Sequence, residues 1–281
     1  MPSTFKTILI AVLASVVTWW VLPQPQGQGV KLKETAFERV MRTGVLRCGY
    51  GISPPILEKD ANTGKLQGSD VAIMNAIGQK LGLKVEWAQE AGWGSFIEDL
   101  RSNRYDVMCT GVWPDAARIK FLALTRPVYY DRMLAYVRAG DTRFDGDLSK
   151  VNNASFTVAA VEGDASIDLV RQRLPAAKVL ALPQLAQVGD MLMSLTSKKA
   201  DIIFLDPVRT ALFQKNNPNQ IMAVKNVEPV QVFGTSIGVK AGETHLRDML
   251  DTALRELIND GLVARELAKI SPNLMPPAKD F

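Results

Sequence analysis

Residues 157–207, TVAAVEGDASIDLVRQRLPAAKVLALPQLAQVGDMLMSLTSKKADIIFLDP, decide the fold. Three short apolar runs, Thr157–Val161, Lys178–Leu182 and Asp201–Leu205, read as strands, and between them lie the helical stretches Ser166–Arg173 and Val188–Ser197. A third helix, Pro207–Gln214, follows. Strands that alternate with helices form a parallel sheet covered on both faces, because a parallel pairing needs a crossover long enough to hold a helix.

The same alternation occurs upstream. Glu34–Arg42 reads as a helix stopped by Gly44, and Val45–Gly49 as a strand. Ser69–Leu81 is an amphipathic helix with Ser69 at its N-cap, apolar Val71, Ile73, Met74 and Ile77, and Gly82 as its stop. Lys84–Ala88, Ser95–Arg101 and Asp106–Cys109 then read as strand, helix and strand. Two extended runs, Tyr129–Val137 and Val230–Val239, separate the repeats, and a helix over Leu246–Asp260 comes after the second. Two extended crossings imply that the chain enters a second lobe and returns to finish the first. The expected organisation is α/β and two-lobed: 34–131 with 233–281 as lobe one, 132–232 as lobe two, and two hinge strands joining them.

Composition agrees. At 281 residues, 47% hydrophobic and 22% charged, the chain can bury two cores. The net charge of +4 is concentrated at the start: Lys6, Lys31 and Lys33 precede the first acid, Glu34, so the remainder stands near neutrality. No basic run is present to follow a phosphate backbone, which argues against nucleic acid as a partner. Two cysteines and the single His245 are too few for structural zinc or iron–sulfur sites, and no metal or cofactor is expected. Cys48 and Cys109 fall on strands that can be neighbours in one sheet, so a disulfide is open to them in an oxidising compartment; two small buried residues are the favoured reading, since adjacent parallel strands rarely meet its geometry. His245 is expected on an exposed helix.

The uncharged stretch Thr7–Leu22 follows Lys6 and precedes the Pro/Gln/Gly run 23–29, so residues 1–29 read as an export signal. Trp19 and Trp20 would suit a membrane interface, and no small-residue cleavage site follows, so the segment serves either as a cleaved signal or as an inner-membrane anchor. A lipid anchor is not supported, because no Cys follows the apolar run. In both cases the lobes face the periplasm.

Two enzyme-like motifs fail on context. Gly49-Tyr-Gly51 begins as a dinucleotide fingerprint, but Pro54 and Pro55 bar the helix that would receive a pyrophosphate. Gly234-Thr-Ser236-Ile-Gly238 has the spelling of a nucleophile elbow inside a run that reads as strand.

From Val45 onward the order of motifs resembles the periplasmic solute-binding proteins of ABC importers, the amino-acid-binding type. Leu46-Arg-Cys-Gly49 with Pro54-Pro55 resembles the first strand and its turn, and 64–71 (GKLQGSDV) the start of the first helix. Trp93–Leu100 with 104–107 (RYDV) is similar to the next motif, as are Gly111 with Arg118 and 125–130 (TRPVYY). In lobe two, Val161-Glu-Gly163 and 200–206 (ADIIFLD) match the family's pattern. The resemblance implies a monomer that captures a small polar solute between its lobes and presents it to importer membrane subunits. It implies ligand contacts from Trp93, Gly111, Trp113, Arg118, Gly163, Asp164 and Asp206: Arg118 as the carboxylate clamp, Asp206 as the ammonium partner facing it across the cleft, and Trp93 as a stacking surface. No residue is assigned a catalytic role.

The chain departs from the family at Trp113, Asp115 and Ala117, at Asp164-Ala165, and at Ser53 and Ile56. An added indole and an added carboxylate suit a solute with excess positive charge, unless Asp164 only caps its helix. A few proteins resembling this family are periplasmic cyclohexadienyl dehydratases, for which Glu162 or Asp164 would supply an acid; an uncleaved anchor would instead favour a membrane-tethered sensory or partner-docking lobe pair.

Overall fold

The structure is a computed structural model and describes residues 34–280. The expected leader, with Thr7–Leu22, lies outside the described residues. The first helix, α1 (Ala36–Thr43), opens on a reciprocal pair of hydrogen bonds between Thr35 and Glu38 and closes on Gly44. It leads into β1 (Val45–Tyr50), a short hairpin of β2 (Glu58–Lys59) and β3 (Leu66–Gln67), then α2 (Ser69–Leu81) and β4 (Lys84–Glu90). α3 (Phe96–Arg101), β5 (Val107–Val112) and a 3₁₀ turn at Arg118–Lys120 precede a 17-residue strand, β6 (Leu122–Arg138).

The second half contains β7 (Thr157–Val161), α4 (Ala165–Arg173), β8 (Lys178–Leu182), α5 (Val188–Thr196), β9 (Ile202–Leu205), α6 (Pro207–Asn216) and β10 (Ile221–Ala223). The chain then returns through β11 (Gln231–Lys240) to the C-terminal helices α7 (Thr244–Asn259) and α8 (Leu262–Ile270).

Strands run in the order β4-β1-β5-β11-β6-β9-β7-β8, with β10 beside β6. β1 is parallel to β4 and β5, and β7 to β8 and β9, so each lobe has its own parallel set. The antiparallel pair β6 and β11 joins them. From Leu122 to Met133, β6 pairs with β11; from Leu134 to Tyr136 it pairs with β9. The two extended crossings of the sequence are these strands. Pro127, which cannot donate to a ladder, sits opposite Ser236 where the register slips.

The return is visible in the core. Leu246, Leu250, Leu254 and Leu257 of α7 and Leu267 of α8 pack with Leu46 of β1 and Ile73, Met74 and Ile77 of α2. Lobe two has a core on each sheet face: Val158, Ile202 and Phe204 with Leu169 and Val170 of α4, and Ala159, Ile203 and Leu205 with Met191 and Leu195 of α5. Ionic contacts tie α1 to lobe one: buried Asp106 pairs with Arg39, and with Arg47 at 2.9 Å, and accepts the Arg47 backbone N–H.

Two expectations are corrected. Cys48 and Cys109 form a disulfide. Cys48 lies opposite Val107, so Cys109, two residues on, projects from the same face as its diagonal neighbour, with a Cα–Cα separation of 5.4 Å, inside the range a bridge needs. Ser69 does not cap α2. The Gly68 carbonyl already accepts from Ala72 N–H, which puts the cap at Gly68 and leaves the Ser69 hydroxyl buried without a partner. Gly82 ends α2 in the left-handed region as expected, and His245 is exposed in the first turn of α7.

Among the described residues no helix is long and apolar enough to cross a membrane, and no cluster of His, Cys, Asp and Glu could hold a metal ion.

Candidate functional site

Ligands of open α/β sheets bind beyond the carboxyl ends of the strands. Here a cavity of about 290 Å³ lies beyond such ends from both lobes. Gly51, Ile52 and Ser53 follow β1, Ala91–Trp93 follow β4, and Trp113 follows β5. From lobe two come Val161 and Asp164 after β7, Gln184–Val188 after β8, and Arg209 after β9. The lining is mostly apolar with a few polar groups, the usual make-up of a small-molecule site.

Trp93 is half-buried on the cavity wall, edge-on to Phe96. Trp113 is buried, lies flat on Phe233 with ring centres 4.2 Å apart, and has the Arg209 guanidinium 5.5 Å over its ring. Phe233 stands on β11 opposite Asp131 of β6, so the crossing strands support the indole.

Gly111 approaches the neighbouring strand closely: a Cβ there would lie 2.1 Å from Thr235 Cγ2, and its N–H donates to buried Asp70. Gly163 turns the chain at φ +80°, and a Cβ would lie 2.6 Å from Gly94 Cα. That glycine pair brings the lobes into backbone contact.

Arg118 is only 9% exposed, and its three guanidinium nitrogens have protein partners. Nε pairs with Asp115 at 3.0 Å, Nη1 donates to the Trp113 carbonyl at 3.4 Å, and Nη2 donates to the Gly163 carbonyl at 2.8 Å, across the lobe seam. It lines only a recess of about 10 Å³, which it shares with Trp93, Trp113, Asp164 and Arg209. Asp164 both caps α4, accepting from Ser166 N–H at 2.8 Å, and lines the cavity, so its two readings hold together.

Asp206 is fully buried and lines none of the cavities described. It caps α6, accepting from the Val208 and Arg209 N–H groups, and pairs with Arg209 Nε at 2.9 Å. The sequence reading passed over Arg209. Its signal was the i,i+3 spacing from Asp206 in the first helical turn, which aims a long cation back over its own cap. Gln184, Gln187 and Met191 were passed over as well.

Buried carboxylates surround Arg209. Burial pushes Asp70 up to about 7 despite the Gly111 N–H and nearby Arg209. Asp131 is pushed up to about 7 by burial and then by Asp206. Burial opposes the charge on Arg209, but Asp206, Asp164 and Asp131 outweigh it and hold the guanidinium above its ordinary range.

Two α/β lobes joined by paired strands, with a cavity between their strand ends, define a solute-binding protein of the two-lobed periplasmic type. The chain belongs to the bacterial extracellular solute-binding proteins, family 3, which match residues 46–271. It is 26% identical over 227 residues to a probable amino-acid ABC transporter-binding protein of Haemophilus influenzae, covering 80% of this chain and 83% of that protein. It is also 26% identical over 235 residues to the L-cystine-binding protein TcyA of Bacillus subtilis, covering 80% and 81%. In structure it resembles an ancestral amino acid-binding protein described as a precursor of cyclohexadienyl dehydratase, with TM-score 0.73, 20% identity, and 84% and 99% of the two chains covered. At that identity the likeness shows the fold.

Proposed function

We propose that the protein is a periplasmic binding protein that captures an amino acid or related small polar solute between its lobes and delivers it, as a monomer, to the membrane subunits of an ABC importer. The observation that carries this reading is the cavity at the strand ends of both lobes, in a chain whose relatives include amino-acid-binding proteins. The lobes divide at 131–132 on β6, just before it changes partners between Met133 and Leu134, and at 232–233 on β11. Flexing there opens and closes the cavity. Residues 1–29 export the chain, and if retained they tether it to the inner membrane.

Binding without catalysis is favoured by the two candidate acids. Glu162 pairs with Arg171 at 2.7 Å and lies off the cavity wall, and Asp164 is occupied as a helix cap.

Thermal-shift measurement on the full chain against the twenty amino acids, polyamines and organic acids tests the reading. A ligand at a hundred times its Kd stabilises by about 2.7 kcal/mol, which raises Tm by roughly 5–10 °C in a chain of this size. Absence of a shift with every amino acid at millimolar concentration would overturn the amino-acid reading.

A further inference from the structure

Two guanidinium groups stand at the seam between the lobes, and the protein employs them differently. Each nitrogen of Arg118 meets a protein acceptor: Asp115, the Trp113 carbonyl and the Gly163 carbonyl. Arg118 therefore works as a strut between lobes. Arg209 lies over the Trp113 ring with Nε 2.9 Å from Asp206 Oδ2, an ion pair in which neither buried atom has a hydrogen-bond partner, and its two terminal amino groups make no hydrogen bond to a described residue. It lines the main cavity, the small recess, and an adjoining apolar cavity of about 260 Å³ that also shares Ile52, Gln187 and Val188 with the main one.

A largely buried guanidinium carries donors that need acceptors. The protein supplies none to the terminal amino groups of Arg209, so the acceptor has to arrive with the solute. Asp206, meanwhile, is closed to a ligand ammonium by burial: it is fully buried and lines none of the cavities described, its Oδ1 accepts from the Val208 and Arg209 N–H groups, and its Oδ2 faces Arg209 Nε at 2.9 Å. Of the two acids on the cavity wall, Glu90 is exposed, while Asp164 shares the small recess with Arg209 and is the one placed to face an amine close to a carboxylate held there.

Building on the amino-acid reading, we infer that Arg209 is the anchor for the carboxylate of the solute, whose amino group points toward Asp164. The anchor is rigid before the solute arrives: Asp206 holds Nε from behind, and the Trp113 ring, itself stacked on Phe233, lies beneath the guanidinium plane. Such preorganisation lowers the cost of making a two-pronged contact with a carboxylate.

The experiment compares each of the twenty L-amino acids with its carboxamide, by calorimetry on the full chain. Wild type should favour the acid over the amide roughly tenfold to a hundredfold, the range for a hydrogen bond to a charged group. In Arg209→Met that ratio should fall to near one. Because this change strands Asp206, the double variant Asp206→Asn/Arg209→Met, in which the amide oxygen still caps α6, should give the same ratio, and Arg209→Lys should restore part of the preference. In wild type, modification of arginines by phenylglyoxal should be slowed at Arg209 by the bound acid and not by the amide. An acid preference that survives in the double variant, or an Arg209 left unprotected by a bound acid, would overturn the assignment and return the carboxylate to Arg118. Failure of wild type to bind any of the acids would instead refute the amino-acid reading and this assignment with it.

Discussion

Asp131→Asn should make the protein more stable at pH 8 and flatten its dependence on pH. Asp131 is buried two residues before the last β6 residue paired with β11, Met133, and its carboxyl is pushed up to about 7, mainly by burial and then by Asp206. In the unfolded chain an aspartate titrates near 3.9. Between about pH 4 and pH 7 the folded protein therefore keeps a proton that the unfolded chain releases. Stability from this group is complete below about pH 4 and is lost as pH rises toward 7, where the charged form has to be held in the core. About three pH units at ~1.4 kcal/mol each set an upper bound of about 4 kcal/mol. Asp206 and Arg209 interact with the same group, so about 2 kcal/mol is the working expectation. Asparagine keeps the oxygen that accepts the Arg132 N–H at 2.8 Å and carries no charge to bury. Urea unfolding followed by tryptophan fluorescence at pH 4.5, 6, 7 and 8 at constant ionic strength would give the difference between variant and wild type. The two should converge at the acid end and separate as pH rises. A variant less stable than wild type at pH 8, with an unchanged slope, would refute the reasoning.

Three further outcomes are expected. Replacing Cys48 and Cys109 with alanine opens a loop spanning 61 residues and should cost about 4 kcal/mol on the chain-entropy account, measured by denaturant unfolding of variant and oxidised wild type. Gly163→Ala puts a Cβ 2.6 Å from Gly94 Cα and a side chain at φ +80°, a conformation that alone costs about 1–2 kcal/mol, so the closed arrangement should weaken and the radius of gyration rise in small-angle scattering; an unchanged profile would count against the seam as described. Asp106→Ala strands Arg39 and Arg47 and should destabilise by about 3–5 kcal/mol, while a loss below 1 kcal/mol would show that the cluster contributes little.

Local signals carried much of the architecture. Thr157–Val161, Lys178–Leu182 and Ser69–Leu81 have the same bounds in sequence and structure, because apolar runs edged by glycine and charged residues leave little freedom in where an element ends. β6 begins seven residues before its expected start at Tyr129, since Pro127 reads locally as punctuation and only the register slip opposite Ser236 reveals how a strand absorbs it. The disulfide was hidden for a related reason: cysteines on paired strands meet or miss according to a register that spacing does not encode. In the site, Trp93, Trp113, Asp164 and Arg118 could be found from motif order. The commitment of Arg118 to Gly163, and the shielding of Asp206 by Arg209, depend on which lobe-two turn meets which lobe-one loop, and no local pattern contains that.

The route of the chain also orders its assembly. β7 to β10 form an uninterrupted stretch, whereas the core around Leu46 and Ile73 is completed by α7 and α8, from the far end of the polypeptide. A chain emerging N-terminus first can finish the second lobe while the first still lacks Leu246, Leu250 and Leu267. Until those leucines arrive, the apolar face of α2 has no cover, and the lobe that begins first is completed last.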